Sequence, residues 1–153
     1  MSTQQMRVQL KTENTKQLTL NGVKNMSFYI SRNVPGSFAS VMDNLKNKLH
    51  ANDYLIAADI DVQAALKQKL DSDLPQISII GTNTPKVGLQ LFSSDPKLGT
   101  LLPFSIVLHD LGENYVEVSM INPEFLFQAT GNPAITKLGT EVKIVFNDIL
   151  ESL

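Results

Sequence analysis

The residues best placed to do chemistry are Gly81-Thr82-Asn83-Thr84-Pro85, which follow an apolar run, Gln76 to Ile80, and open a helical pattern at Pro85. Backbone amides exposed at such a strand-to-helix turn, together with the positive end of the helix dipole, suit a carboxylate or a phosphate. The Gly-Lys-Ser/Thr ending of a P-loop is missing, as is a dinucleotide fingerprint. The same residue types also serve a plainer purpose, since Thr82 or Asn83 can cap the helix that follows. His109 beside Asp110 is a second place to look, because a histidine held by a carboxylate can act as a general base. Adjacent strand residues point to opposite faces, so a contact between those two is not expected; Asp59, Asp61 and Glu117 are the other carboxylates considered. His50 falls at the end of a helical stretch, where a cation suits the dipole.

Asp59 and Asp61 share one face of a strand and could couple their ionisation or bind a hard cation. A calcium loop counted from Asp59 needs Gly at its sixth position, where Ala64 stands, and Asp61 has a simpler role as a helix cap. No Gly-x-Ser-x-Gly, HExxH or Ser-x-x-Lys pattern with its companions is present. The aromatic residues Phe38, Tyr54, Phe92, Phe104, Tyr115, Phe125 and Phe127 are scattered among apolar neighbours rather than gathered beside Lys or Arg, as base stacking requires. Phe125 and Phe127 lie in a short turn where they could line a pocket or a dimer contact.

The chain that must position these residues has 153 of them, 42% apolar and 18% charged, the composition of a globular domain. A formal net charge of −2 argues against a nucleic-acid or anionic-membrane partner, which needs a basic face. There is no cysteine, which excludes disulfides, thiolate metal sites and thiol catalysis. No window approaches the roughly 20 apolar residues of a membrane span, and Met1 to Leu10 lacks the apolar core of a signal peptide. A cytoplasmic location is the resulting expectation. Neither a cofactor nor a metal is expected.

Residues 1–25 read as an extension, either an edge hairpin closing near Asn21-Gly22 or a partly disordered arm. Residues 26–153 read as one domain. Phe28 and Ile30 alternate with Ser27, Tyr29 and Ser31 as a half-buried strand does, and Pro35-Gly36-Ser37 ends that strand. Ser37 caps a helix whose stripe is Phe38, Val41, Met42, Leu45 and Leu49, closed by a left-handed Asn52. Tyr54 to Ile60 is a second strand, Val62 to Leu70 a short helix capped by Asp61, and Gln76 to Ile80 a third strand. Thr84-Pro85 opens a helix running through Leu91, and Ser94 to Leu102 is loop. Phe104 to His109 and Tyr115 to Ile121 form a hairpin joined at Asp110–Glu113. A single turn spans Glu124 to Gln128, and from Pro133, capped by Asn132, a long helix carries Ile135, Leu138, Val142, Val145, Phe146, Ile149 and Leu150 on one stripe despite Gly139. Strands clustered late in the chain make the class α+β, a mainly antiparallel sheet with two long helices on one face.

These punctuation marks occur in a familiar order. The helix opened at Ser37-Phe38, the Ile60-Asp61 turn, Gly81-x-x-x-Pro85, Asp95-Pro96, Leu102-Pro103 and Asn122-Pro123 together resemble the small bacterial and archaeal proteins grouped as domain of unknown function 302. The resemblance covers about Met26 to Leu153. It implies a TATA-binding-protein-like fold, a curved antiparallel sheet carrying two helices, without implying that family's DNA binding. Many members carry one Cys in the turn matching Gly81–Pro85 and another after the Leu-Pro pair, where this chain has Asn83 and Phe104. A thiol role imagined for such relatives cannot apply here.

The expectation is therefore a protein that binds an apolar or carboxylate-bearing small molecule rather than an enzyme. The expected pocket lies between the sheet and the loops Gly81–Pro85 and Ser94–Pro103. Gly81, Thr82, Asn83 and Thr84 would supply hydrogen bonds, and Phe104 and Phe125 would supply wall. The alternatives are a homodimer built on a sheet edge or outer face, using Tyr29, Val116 and Val118, and an enzyme centred on His109.

Overall fold

A computed structural model describes residues 2–5, 26–71 and 73–153. The hairpin expected near Asn21-Gly22 lies outside the described residues. From the described part the order is β1 (Tyr29–Pro35), α1 (Phe38–Ala51), β2 (Leu55–Asp61), α2 (Val62–Leu70), β3 (Ile77–Asn83) and α3 (Pro85–Ser94). A 3-10 helix (Pro96–Leu101), β4 (Phe104–Gly112), β5 (Tyr115–Ile121), α4 (Pro123–Gln128) and α5 (Pro133–Glu151) follow. The five strands form one open sheet in the order β1-β5-β4-β3-β2, every pair antiparallel. The class is α+β, with helices packed on one side of the sheet.

Alternation along each strand decides which face the helices cover. Val116, Val118 and Met120 on β5, and Phe104, Ile106 and Leu108 on β4, have no accessible surface. They meet Val41, Met42, Leu45 and Leu49 of α1 and Ile135, Leu138, Val142, Phe146, Ile149 and Leu150 of α5 in one core. Phe104 sits at its centre, edge-on to Phe146 at 5.4 Å and tilted against Phe127 at 5.7 Å. The residues between them point to the outer, helix-free face. There Ile60, Ile79, Val107 and Ser119 stand side by side across four strands, with Ile77, His109 and Glu117 in the next row.

The capping residues behave as their types predict. Ser37 accepts from the Ser40 amide at 3.1 Å, Asp61 from Ala64 at 2.9 Å and Asn132 from Ala134 at 3.0 Å. The end of α1 differs from expectation. Asn52 keeps a negative φ of −103°, and the left-handed residue is Asp53 at +62°. Asn52 instead turns its side-chain amide onto the Lys48 carbonyl at 2.8 Å. That delay of one residue lets the Tyr54 amide return to Leu49 at 2.9 Å. At the far end of the core, Arg32 of β1 donates through Nη1 to the carbonyls of Leu150, Glu151 and Leu153 at 3.0, 2.8 and 3.2 Å, closing the C-terminus of α5.

Three boundaries are longer than the punctuation suggests. β3 runs on to Asn83 because Thr82 pairs with Phe104 on one side and Ile56 on the other, so Gly81 to Asn83 are strand rather than turn. Gly81 is required by close approach: a Cβ there would lie 2.9 Å from Pro103 Cγ and 3.2 Å from Ala58 Cβ. Ser94–Leu102 is not loop either, since α3 extends to Ser94 and Asp95 caps the 3-10 helix through the Lys97 amide at 2.9 Å. The β4–β5 hairpin closes on Glu113 and Asn114, both at positive φ, the two-residue geometry that matches strand twist.

Gly139, a weak point of the α5 pattern on propensity alone, is a contact point. A Cβ there would lie 2.6 Å from the Pro123 carbonyl oxygen and 3.1 Å from Glu124 Cα. The glycine lets the start of α4 press on the α5 backbone.

Candidate functional site

The described surface holds a two-sided cleft of about 620 Å³ where α1 ends, α3 begins and α5 passes its midpoint. His50 comes from the last turn of α1, Asn52 and Asp53 from the α1–β2 connection, Tyr54 and Leu55 from the entry to β2, and Thr84, Pro85, Lys86 and Val87 from the start of α3. Leu138, Val142 and Val145 from α5, with Val87, give it an apolar wall, while Glu141 reaches the rim. A cleft of this size, with an apolar wall and polar side chains around it, has the proportions of a small-molecule site. A depression of about 630 Å³ also runs along Gly131, Pro133, Thr136, Lys137, Thr140 and Glu141. It is lined by the first turns of α5 and by Gly131 just before them, with no second element facing it, so the two-sided cleft is the stronger candidate.

Local sequence explains the cleft's electrostatics. α1 satisfies its own last carbonyls: the amides of Asn52, Asp53 and Tyr54 return to His50 and Leu49, and the Asn52 side chain takes Lys48. α3 does not do the same at its start. Thr84 makes no side-chain bond to the first turn, and Pro85 has no N–H to offer. The Gly88 amide returns to the Thr84 carbonyl at 3.1 Å, leaving the Lys86 and Val87 amides with no acceptor among the described residues. Tyr54 is 4% exposed, and burial pushes its phenol up to about 12, so it stays a neutral donor at physiological pH.

Of the six residues expected to form the pocket, Gly81, Thr82, Asn83, Thr84, Phe104 and Phe125, Thr84 alone lines this cleft. Gly81 lies under Pro103. Thr82 is fully buried, and its hydroxyl donates to the Leu55 carbonyl at 2.7 Å. Asn83 packs its amide nitrogen against Gly88, and its Oδ1 is buried without a partner. Phe104 has no accessible surface and so walls no open cleft. Phe125 is half-buried on α4 and does not line the cleft. Periodicity had marked Leu138, Val142 and Val145 only as core, and nothing local to the chain shows which core residues border a cleft assembled from three distant segments.

The other chemical candidates are engaged or spread apart. Asp59 is paired with Lys46 at 2.7 Å, and Asp61 caps α2. His109 faces Glu117 across the β4–β5 ladder with Nδ1 and Oε1 3.9 Å apart, beyond hydrogen-bond length. The pair stands on the helix-free face of the sheet, and neither residue lines the cleft. Among the described residues no three His, Asp or Glu side chains gather as metal ligands would, and no helix is long and apolar enough to cross a membrane.

Fold and cleft together define an open-sheet α+β protein with a pocket at one end of its helical layer. The family model for Domain of unknown function DUF302 matches residues 30–153, and the chain belongs to that family. A similar solved structure is the crystal structure of an uncharacterised conserved DUF302 protein from Bacillus stearothermophilus. It is 16% identical, with a TM-score of 0.75, over 82% of this chain and 98% of that one. At that identity the likeness speaks for the fold. No curated protein matches this chain.

Proposed function

We propose that this chain binds a small molecule in the cleft between α1, α3 and α5. The observation that carries the reading is a two-sided cavity of about 620 Å³ with Val87, Leu138, Val142 and Val145 on its walls and unsatisfied amides at its edge. Burial of an apolar ligand body on those walls supplies affinity, and the rim supplies orientation. A cytoplasmic setting without a nucleic-acid partner belongs to the same reading, in keeping with a net charge of −2.

A homodimer is the second reading, favoured by the helix-free sheet face. Val116 and Val118 cannot contribute, because both point into the core and have no accessible surface. The apolar residues available there include Tyr29, Ile121, Val107, Ile77, Ile79, Tyr115 and the half-exposed Ile60.

Native mass spectrometry of the purified full chain tests both. Ligand binding predicts a mass excess over the chain that is lost on denaturation and absent from Val145→Trp, with circular dichroism confirming that the variant is folded. A dimer without excess mass supports the second reading instead. A bare monomer contradicts both.

A further inference from the structure

The first turn of α3 and the Tyr54 side chain meet at the same cleft, and each lacks what the other also lacks, an acceptor. Lys86 and Val87 present amides with no partner among the described residues, at the positive end of a ten-residue helix. Tyr54 is independent of that helix. Its residue is 4% exposed, yet its hydroxyl forms no hydrogen bond among the described residues. Asn83 Oδ1 is the one fully buried side-chain polar atom there left unbonded, so the Tyr54 hydroxyl must reach accessible space. The cleft is the space that Tyr54 lines. Three donors without acceptors, over an apolar wall, describe the complement of an acidic head on an apolar body.

We propose that the cleft takes a monocarboxylic acid with an apolar tail, its carboxylate seated on the Lys86 and Val87 amides and the Tyr54 hydroxyl, its tail on Val87, Leu138, Val142 and Val145. The inference rests on the ligand-binding reading of the same cleft and narrows it. Lys86 adds one cation to the rim, and His50 stands nearby, while Asp53 and Glu141 place two carboxylates on the same rim. Two carboxylates against one lysine repel a phosphate dianion about twice as strongly as a monoanion, whose single charge the three donors and Lys86 are left to offset. A neutral alcohol could use the donors too, but bonds to an ionised acceptor are roughly twice as strong.

Calorimetric titration of the full chain with decanoic acid, decanol and decyl phosphate tests the head group. Decanoate is expected to bind at least tenfold more tightly than either analogue. Tyr54→Phe removes a hydroxyl that has no protein partner, so the variant should keep the wild-type melting temperature while losing about tenfold in decanoate affinity. Decanol binding as tightly as decanoate, or Tyr54→Phe leaving decanoate unchanged, overturns the carboxylate assignment but leaves the cleft a binding site. Tighter binding of decyl phosphate replaces the monoanion with a dianion. Failure of all three probes also overturns the assignment, and the mass excess in native spectra then decides separately whether the cleft binds anything.

Discussion

Replacing Gly139 by alanine should destabilise the protein, although Ala is the better helix former. In a free helix the change is worth about 1 kcal/mol in favour of Ala. Here the new methyl would arrive 2.6 Å from the Pro123 carbonyl oxygen, 3.0 Å from its carbon and 3.1 Å from Glu124 Cα, all of them backbone atoms that cannot swing aside. Relief requires α4 to retreat from α5 by most of an ångström. That movement disturbs Phe127, which is fully buried against Phe104, and Asn122, which accepts from the Glu124 amide at 3.1 Å and donates to the Ser27 carbonyl at 2.8 Å. Overpacking typically costs about 1–3 kcal/mol, and the rigidity of the obstructing atoms puts this case near the top of that range. After the propensity gain, a net loss of about 2 kcal/mol is expected, which for a chain of this size lowers the melting temperature by roughly 4–8 °C. Urea and thermal unfolding followed by circular dichroism measure it, with the exposed Thr140→Ala as a control of near-zero effect. A Gly139→Ala protein as stable as wild type, or more so, would refute the claim that α4 and α5 meet backbone to backbone.

Three further outcomes follow from the same geometry. Arg32→Ala strips three carbonyls from one guanidinium and should cost about 2 kcal/mol, with hydrogen exchange accelerating at Glu151–Leu153 and not in α1. Thr82→Val, nearly isosteric, leaves the Leu55 carbonyl without its side-chain donor and should cost about 1 kcal/mol in urea unfolding. Because Tyr54 titrates near 10 when unfolded and near 12 when folded, its contribution is fully present below pH 10 and lost as pH rises through 12. Unfolding free energy should therefore fall by about 2 kcal/mol more in wild type than in Tyr54→Phe across that window.

What the sequence makes legible is what local physics decides. Ser37, Asp61 and Asn132 cap the helices they precede, and the stripes from Val41 to Leu49 and from Ile135 to Leu150 are buried as their spacing requires. What it hides depends on neighbours far along the chain. Gly81 and Thr82 look like turn residues until Pro103, Ala58 and Phe104 are seen to hold them in a ladder. Gly139 looks like a blemish until Pro123 arrives against it. Val116 and Val118 alternate correctly, but alternation alone does not say which face is covered, and the helices choose the valine side. The cleft is the extreme case. Thr84 is found from its place at a strand-to-helix junction, whereas Tyr54, Val87, Leu138 and Val142 are indistinguishable in sequence from any other core position.

The most direct test of the cleft as a binding site is a 1H–15N correlation spectrum of the full chain against small acids, alcohols and amines with apolar bodies. Binding at the cleft predicts that active compounds shift Tyr54, Lys86, Val87 and Val142 together and leave Val107, His109 and Ser119 in place. Shifts gathered on those outer-face residues, or a spectrum that no compound perturbs, would contradict it.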